Sequence, residues 1–105
     1  DNVSLGGGTV VCAGTILTTD ISVGVHVLLN LNVTVGHDSV VGSFTSVMQG
    51  VNIAGEVNIG ARVLLGSGCN IRNRVTIGND ARVGMGAVAL KDVPEGKTVV
   101  GVPAR

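Results

Sequence analysis

Residues 35–60 read Val35-Gly-His37-Asp38-Ser-Val-Val41-Gly-Ser-Phe-Thr-Ser-Val47-Met-Gln-Gly-Val-Asn-Ile53-Ala-Gly55-Glu-Val-Asn-Ile59-Gly60. An aliphatic residue returns at every sixth position. Outward from this stretch the phase holds without insertion, back through Leu29, Val23, Leu17 and Val11 to Leu5, and forward through Leu65, Ile71 and Ile77 to Val83. Ala89 continues it weakly. A period of six fits neither the 3.6-residue helix nor the 2-residue strand, so a short strand and a turn must recur together. The chain is expected to be a solenoid.

Four residues after each aliphatic stands a small or β-branched residue, among them Val27, Val33, Ser39, Thr45, Val51 and Cys69. Both series are expected to point inward. Gly6, Gly24, Gly42, Gly60 and Gly78 recur every 18 residues, so three hexads make one coil. A triangular coil with a strand on each side stacks equivalent residues about 4.8 Å apart, and glycine is expected at corners where φ turns positive. The reading is an all-β, parallel β-helix of roughly five coils over residues 3–93, within a single domain spanning 1–105. Pro94 and Pro103 break the pattern and mark residues 94–105 as a C-terminal extension.

The chain has 17 glycines and 45% hydrophobic residues but a single aromatic, Phe44, which suits an interior too narrow for large rings. No apolar run approaches a membrane span and no leader is evident, so a soluble, cytoplasmic protein is expected. The start at Asp1 suggests a form lacking an upstream domain. Cys12 and Cys69 lie 57 positions apart, on the order of 14 Å along the axis by the strand spacing, too far for a disulfide. Cys69 falls on an inward position and Cys12 on a corner. Neither is placed as a nucleophile.

Formal net charge is zero, which argues against a nucleic-acid surface, yet all seven basic residues lie after residue 61. Residues 18 apart are stacked neighbours, so Arg62 is expected to pair with Asp80, and Arg74 with Glu56 and Asp92. Arg82, Lys91, Lys97 and Arg105 have no such partner and suit a phosphate-bearing ligand near the last coils.

His37 falls on an outward corner, in a column reading Thr19, His37, Gly55, Asn73. The coil above therefore presents a glycine, with no side chain in the way. Beside it runs a column of Asp20, Asp38 and Glu56, expected to orient the imidazole and favour its protonated form. A histidine held by a carboxylate next to an open backbone N–H is a candidate general base with an oxyanion donor. His26 sits at another corner, with Phe44 and Arg62, and reads as structural.

The unbroken hexads, the segment Asn30-Leu-Asn-Val-Thr-Val-Gly-His37-Asp38, and the ending Lys91-Asp92-Val-Pro94 through Gly101-Val-Pro103-Ala-Arg105 resemble the hexapeptide-repeat acyltransferases. They are most similar to sugar O- and N-acetyltransferases of the sialic-acid O-acetyltransferase type. The resemblance implies a left-handed coil, a homotrimer with active sites between subunits, and acetyl-CoA as acyl donor with no metal. It implies that His37 removes a proton from a sugar amine or hydroxyl, that Asp38 supports it, and that the Gly55 N–H polarises the acetyl carbonyl. Ser67 and Met85 match backbone positions that hold the pantetheine arm, and Asn30 matches a polar residue near the sugar acceptor. Together with Lys91, Lys97 and Arg105 for the phosphates, these are the expected cofactor and substrate contacts.

Ser46 stands where many relatives carry a second histidine on the acetyl group, and the sugar-nucleotide-binding domain that precedes the coil in this family is not in this sequence. The alternative weighed against the enzyme is a non-catalytic trimeric β-helix scaffold. A zinc hydratase of the γ carbonic-anhydrase type needs three converging histidines, and the chain offers only His26 and His37 on different corners.

Overall fold

Three parallel sheets result when the two inward series close round each other. In the computed structural model, which describes residues 2–105, the first face stacks Val3–Leu5, Ile21–Val23, Val40–Val41, Asn58–Ile59 and Thr76–Ile77. The second stacks Val10–Val11, Leu28–Leu29, Ser46–Val47, Leu64–Leu65, Arg82–Val83 and Thr98–Val99. The third stacks Ile16–Leu17, Thr34–Val35, Asn52–Ile53, Asn70–Ile71 and Val88–Ala89. Partners are 18 residues apart, as in Val23↔Val41 and Leu65↔Val83. The prism measures 33 × 21 × 21 Å, and no helix among the described residues is long and apolar enough to cross a membrane.

From Ile21 onward both predicted series form the buried column: Val27, Leu29, Val33, Val35, Val51, Ile53, Leu65 and Ile71 are each at most 2% exposed. Phe44 is excluded from it and stays largely exposed. In the first coil Leu5 and Val11 remain exposed, because the described residues cover that coil from one side only.

Two expectations change. The 18-residue glycines are not where φ turns positive; that happens two residues later, at Gly8, His26, Phe44, Arg62 and Asp80 in the same corner. Their glycine is required by close approach instead. A Cβ on Gly42 would stand 2.7 Å from the backbone nitrogen of Ala61, and one on Gly78 would stand 2.5 Å from that of Glu95. The second change concerns the end of the coils. Residues 94–105 were read as an extension beyond the coils, and within them Thr98–Val99 adds a strand to the second face, paired Arg82↔Thr98 and Val83↔Val99. Here and at the bridge Ile77↔Val93 the register is 16, two residues short of a full coil.

That shortening also moves Asp92. It misses Arg74 and accepts a hydrogen bond from the Thr76 N–H at 2.8 Å. Arg74 faces Glu56 alone, at 3.7 Å. Arg62 and Asp80 pair as expected, at 2.8 and 3.1 Å, and this hydrogen-bonded contact holds the Asp80 carboxyl below the usual carboxylate range.

Hydroxyls at inward positions have a role that their size alone did not reveal. Ser39 and Thr45 are fully buried. The Thr45 hydroxyl donates to the carbonyl of Gly60 at 2.8 Å and accepts from the N–H of Val63 at 3.1 Å, tying one coil to the next across a corner. Thr9 and Thr15 repeat this clamp lower in the stack. Thr45→Val keeps the shape but leaves a buried carbonyl and N–H unpaired, a loss expected at about 1–3 kcal/mol. Equilibrium denaturation should show that loss, with an unchanged slope against denaturant.

Candidate active site

The corner between the third and first faces carries His37, and three backbone features set its geometry. Asp38 adopts a left-handed conformation, φ 59°, which an aspartate tolerates better than most residues. Its carboxylate lies against the preceding side chain, with Oδ2 2.9 Å from Nδ1 of His37. A proton on Nδ1 donated to that carboxylate leaves the lone pair on Nε2. Both side chains are more than half exposed.

Nε2 lies against Gly55 of the next coil. A Cβ built on Gly55 would stand 2.5 Å from it and 2.9 Å from the ring carbons Cδ2 and Cε1. The niche inferred from the glycine in the column is therefore filled by the imidazole itself. The peptide joining Ala54 to Gly55 is fixed from inside, since its carbonyl accepts a hydrogen bond from the Ser39 hydroxyl at 2.9 Å. In a trans peptide the N–H points opposite to the C=O. Because Ser39 is wholly interior, the Gly55 N–H is turned outward, and it donates in none of the hydrogen bonds between described residues. An unpaired outward N–H and an imidazole lone pair thus share one corner.

Of the three carboxylates expected to orient His37, only Asp38 does so. Asp20 accepts from the Asn2 amide at 3.3 Å and Glu56 is drawn toward Arg74. Asn30 is also not brought to His37 within one chain. It lies on the corner between the second and third faces, where its side-chain oxygen accepts from the Leu31 N–H at 2.7 Å.

Ser67 and Met85 occupy that same second-to-third corner. They line a groove of about 400 Å³ with Met48, Leu64, Arg82 and Thr98. The largely exposed Met85 and the flanking Leu64 make it chiefly apolar. Lys91, Lys97 and Arg105, separate in sequence, do converge, lining with Asp92 one depression of about 270 Å³ at the end of the stack. Sequence reasoning did not single out Ser39, Met48 or Leu64. Ser39 left one usable signal, a hydroxyl in an inward series that is otherwise mostly aliphatic, which must find partners when buried.

The remaining candidates lie away from this corner. His26 stacks on Phe44, with ring centroids 5.5 Å apart, at the corner between the first and second faces. Cys69 is buried, and burial pushes its thiol up to about 11. Cys12 is half-buried.

The model of the bacterial transferase hexapeptide, six repeats, matches residues 56–90. The chain belongs to the hexapeptide-repeat transferase family. Among curated relatives it is 34% identical over 83 residues to the serine acetyltransferase of Bacillus pumilus, covering 71% of this chain and 38% of that one. To the UDP-3-O-acylglucosamine N-acyltransferase of Rhizobium meliloti it is 39% identical over 105 residues, all of this chain and 29% of that one. Among solved structures, perosamine N-acetyltransferase from Caulobacter crescentus, a variant in complex with CoA and GDP-perosamine, superposes with a TM-score of 0.97 at 35% identity. That match covers 98% of this chain and 49% of the other. The chain thus spans half or less of the length of these relatives.

Gly55→Ala is expected to leave the fold intact, because the added methyl meets the end of an exposed side chain rather than backbone. In nitrogen-detected NMR of the histidine rings, the His37 resonances should move and those of His26 should not.

Proposed function

We propose that this hexapeptide-repeat chain is the catalytic coil of an acetyl-CoA-dependent acetyltransferase acting on the amine or hydroxyl of a sugar or nucleotide-linked sugar. The observation that carries this reading is the His37–Asp38 contact set against the outward N–H of Gly55. The acceptor nitrogen or oxygen attacks the thioester carbonyl carbon while Nε2 of His37 takes its proton. The carbonyl oxygen, gaining negative charge, is stabilised by the Gly55 N–H. Collapse of the tetrahedral intermediate breaks the C–S bond, and the proton held on His37 passes to the departing sulfur, giving free CoA thiol and the N- or O-acetyl product. No acyl-enzyme is required, in keeping with a buried Cys69 whose thiol is raised well above neutral pH.

The donor is assigned to the groove at Ser67 and Met85 for its pantetheine arm, and to Lys91, Lys97 and Arg105 for its phosphates. Groove and His37 lie on different corners of one prism. We therefore assign the functional unit as a homotrimer of left-handed coils, in which the groove corner of one copy faces the His37 corner of the next and brings Asn30 within reach of the acceptor. A cytoplasmic location follows from the donor. The complex of the Caulobacter relative with CoA and a nucleotide-linked sugar supports the substrate class.

His37→Ala is expected to bind CoA within about threefold of wild type by calorimetry while transfer falls by a factor on the order of 10²–10⁴. The rate is read as thiol release from acetyl-CoA in the presence of UDP- and GDP-linked amino sugars. Equal rates would remove His37 as the base, and failure of the wild type to bind CoA would remove the enzyme reading altogether. Replacing Lys91, Lys97 and Arg105 together by glutamine should weaken CoA binding and flatten its dependence on salt.

A further inference from the structure

The column immediately after the third-face strands reads Thr18, Gly36, Ala54, Arg72, Leu90. Four of these five positions carry a side chain, so the coil does not demand glycine there. Gly36 has no left-handed φ to explain it either. What excludes a side chain at Gly36 is the peptide above. A Cβ on Gly36 would stand 2.6 Å from both the carbonyl carbon of Ala54 and the nitrogen of Gly55. That is the peptide whose N–H is outward and donates to no described residue, and whose glycine lies against Nε2 of His37.

Backbone hydrogen bonds report the same compression. Along this corner the coil-to-coil bond from the first corner residue is 3.3 Å at Thr18, 3.1 Å at Ala54 and 3.0 Å at Arg72, but 2.7 Å at Gly36. Two residues on, Asp38 and Arg74 donate across 3.1 Å, while Glu56 donates to the His37 carbonyl across 2.8 Å. Close approach is thus confined, on this corner, to the two coils that carry His37 and Gly55. Elsewhere it repeats in every coil along the glycine column Gly6 to Gly78, where it serves the fold, and it recurs at Gly66, where an added Cβ would stand 2.5 Å from the Met85 nitrogen.

We propose that Gly36 is a positioning residue: its missing side chain lets the coil carrying Gly55 close onto the coil carrying His37, and so sets the separation between the Nε2 base and the Gly55 N–H. Resting on the acyl-transfer reading above, it adds the reason why base and oxyanion donor can serve one carbonyl. The attacking atom and the carbonyl oxygen of a tetrahedral intermediate are held at a fixed separation by the shared carbon, so the groups that serve them must hold a matching one.

The test compares Gly36→Ala with Gly42→Ala, which meets an equally close backbone at a corner remote from His37. Thiol release from acetyl-CoA is measured with whichever UDP- or GDP-linked amino sugar gives the highest wild-type rate. The expected result is a fall in kcat on the order of a hundredfold for Gly36→Ala, with CoA affinity and KM nearly unchanged, while Gly42→Ala loses thermal stability but keeps kcat per folded molecule. Hydrogen exchange of the Glu56 amide should accelerate in Gly36→Ala. Wild-type kcat in Gly36→Ala, or an equal loss of kcat in both variants, would overturn the proposal. If Gly36→Ala does not fold, the double variant G36A/A54G, which frees the peptide that has to move, is judged by the same criteria. An inactive wild type would fail the acyl-transfer reading itself, a result distinct from either.

Discussion

The structure depends on one constraint: a residue and its counterpart 18 positions on must lie one strand spacing apart on the same face. Parallel backbone hydrogen bonds between coils enforce it, from Ser22↔Val40 to Asn70↔Val88. Each short strand is too small to stand alone, and each buried side chain is covered by the coils on either side of it. The corners obey the same rule. A side chain at a corner has above it whatever stands 18 residues later, so the environment of His37 is decided by Gly55 and by the peptide that leads into it.

For this reason much of the geometry of the candidate site was legible in the sequence. The period placed His37 outward, Gly55 above it and His26 on another corner, and the pairing of Arg62 with Asp80 followed from the same count. What the count could not resolve is anything decided by side-chain torsion or by a local change of spacing. Asp20, Asp38 and Glu56 look equivalent by register, but only Asp38 is adjacent to His37 in a left-handed turn that brings its carboxylate to Nδ1. The last coil drops two residues, which carries Asp92 from Arg74 to the Thr76 N–H and Val99 into the core. The hydroxyls of Ser39 and Thr45 passed as small inward residues because spacing records volume and not hydrogen bonding.

The corner glycines show why residue type at a repeat position needs a physical cause. Gly78 and Gly36 both exclude a Cβ by contact with backbone. The former belongs to a column of glycines. The latter stands alone in a column that accepts threonine, alanine, arginine and leucine, and it stands where the fold presents an imidazole and an unpaired N–H together. Ser39 holds the carbonyl of the same peptide from the interior. One peptide thus meets Gly36 on one side and the Ser39 hydroxyl on another, and among the described residues its N–H donates to none.

The most direct test of this account is a crystal structure of the protein with a non-hydrolysable acetyl-CoA analogue. The account predicts that the acyl carbonyl oxygen accepts a hydrogen bond from the Gly55 N–H, with Nε2 of His37 facing the approach path to the carbonyl carbon and the phosphates lying among Lys91, Lys97 and Arg105. An acyl carbonyl bound away from the His37 corner, with the Gly55 N–H making no contact to it, would contradict it.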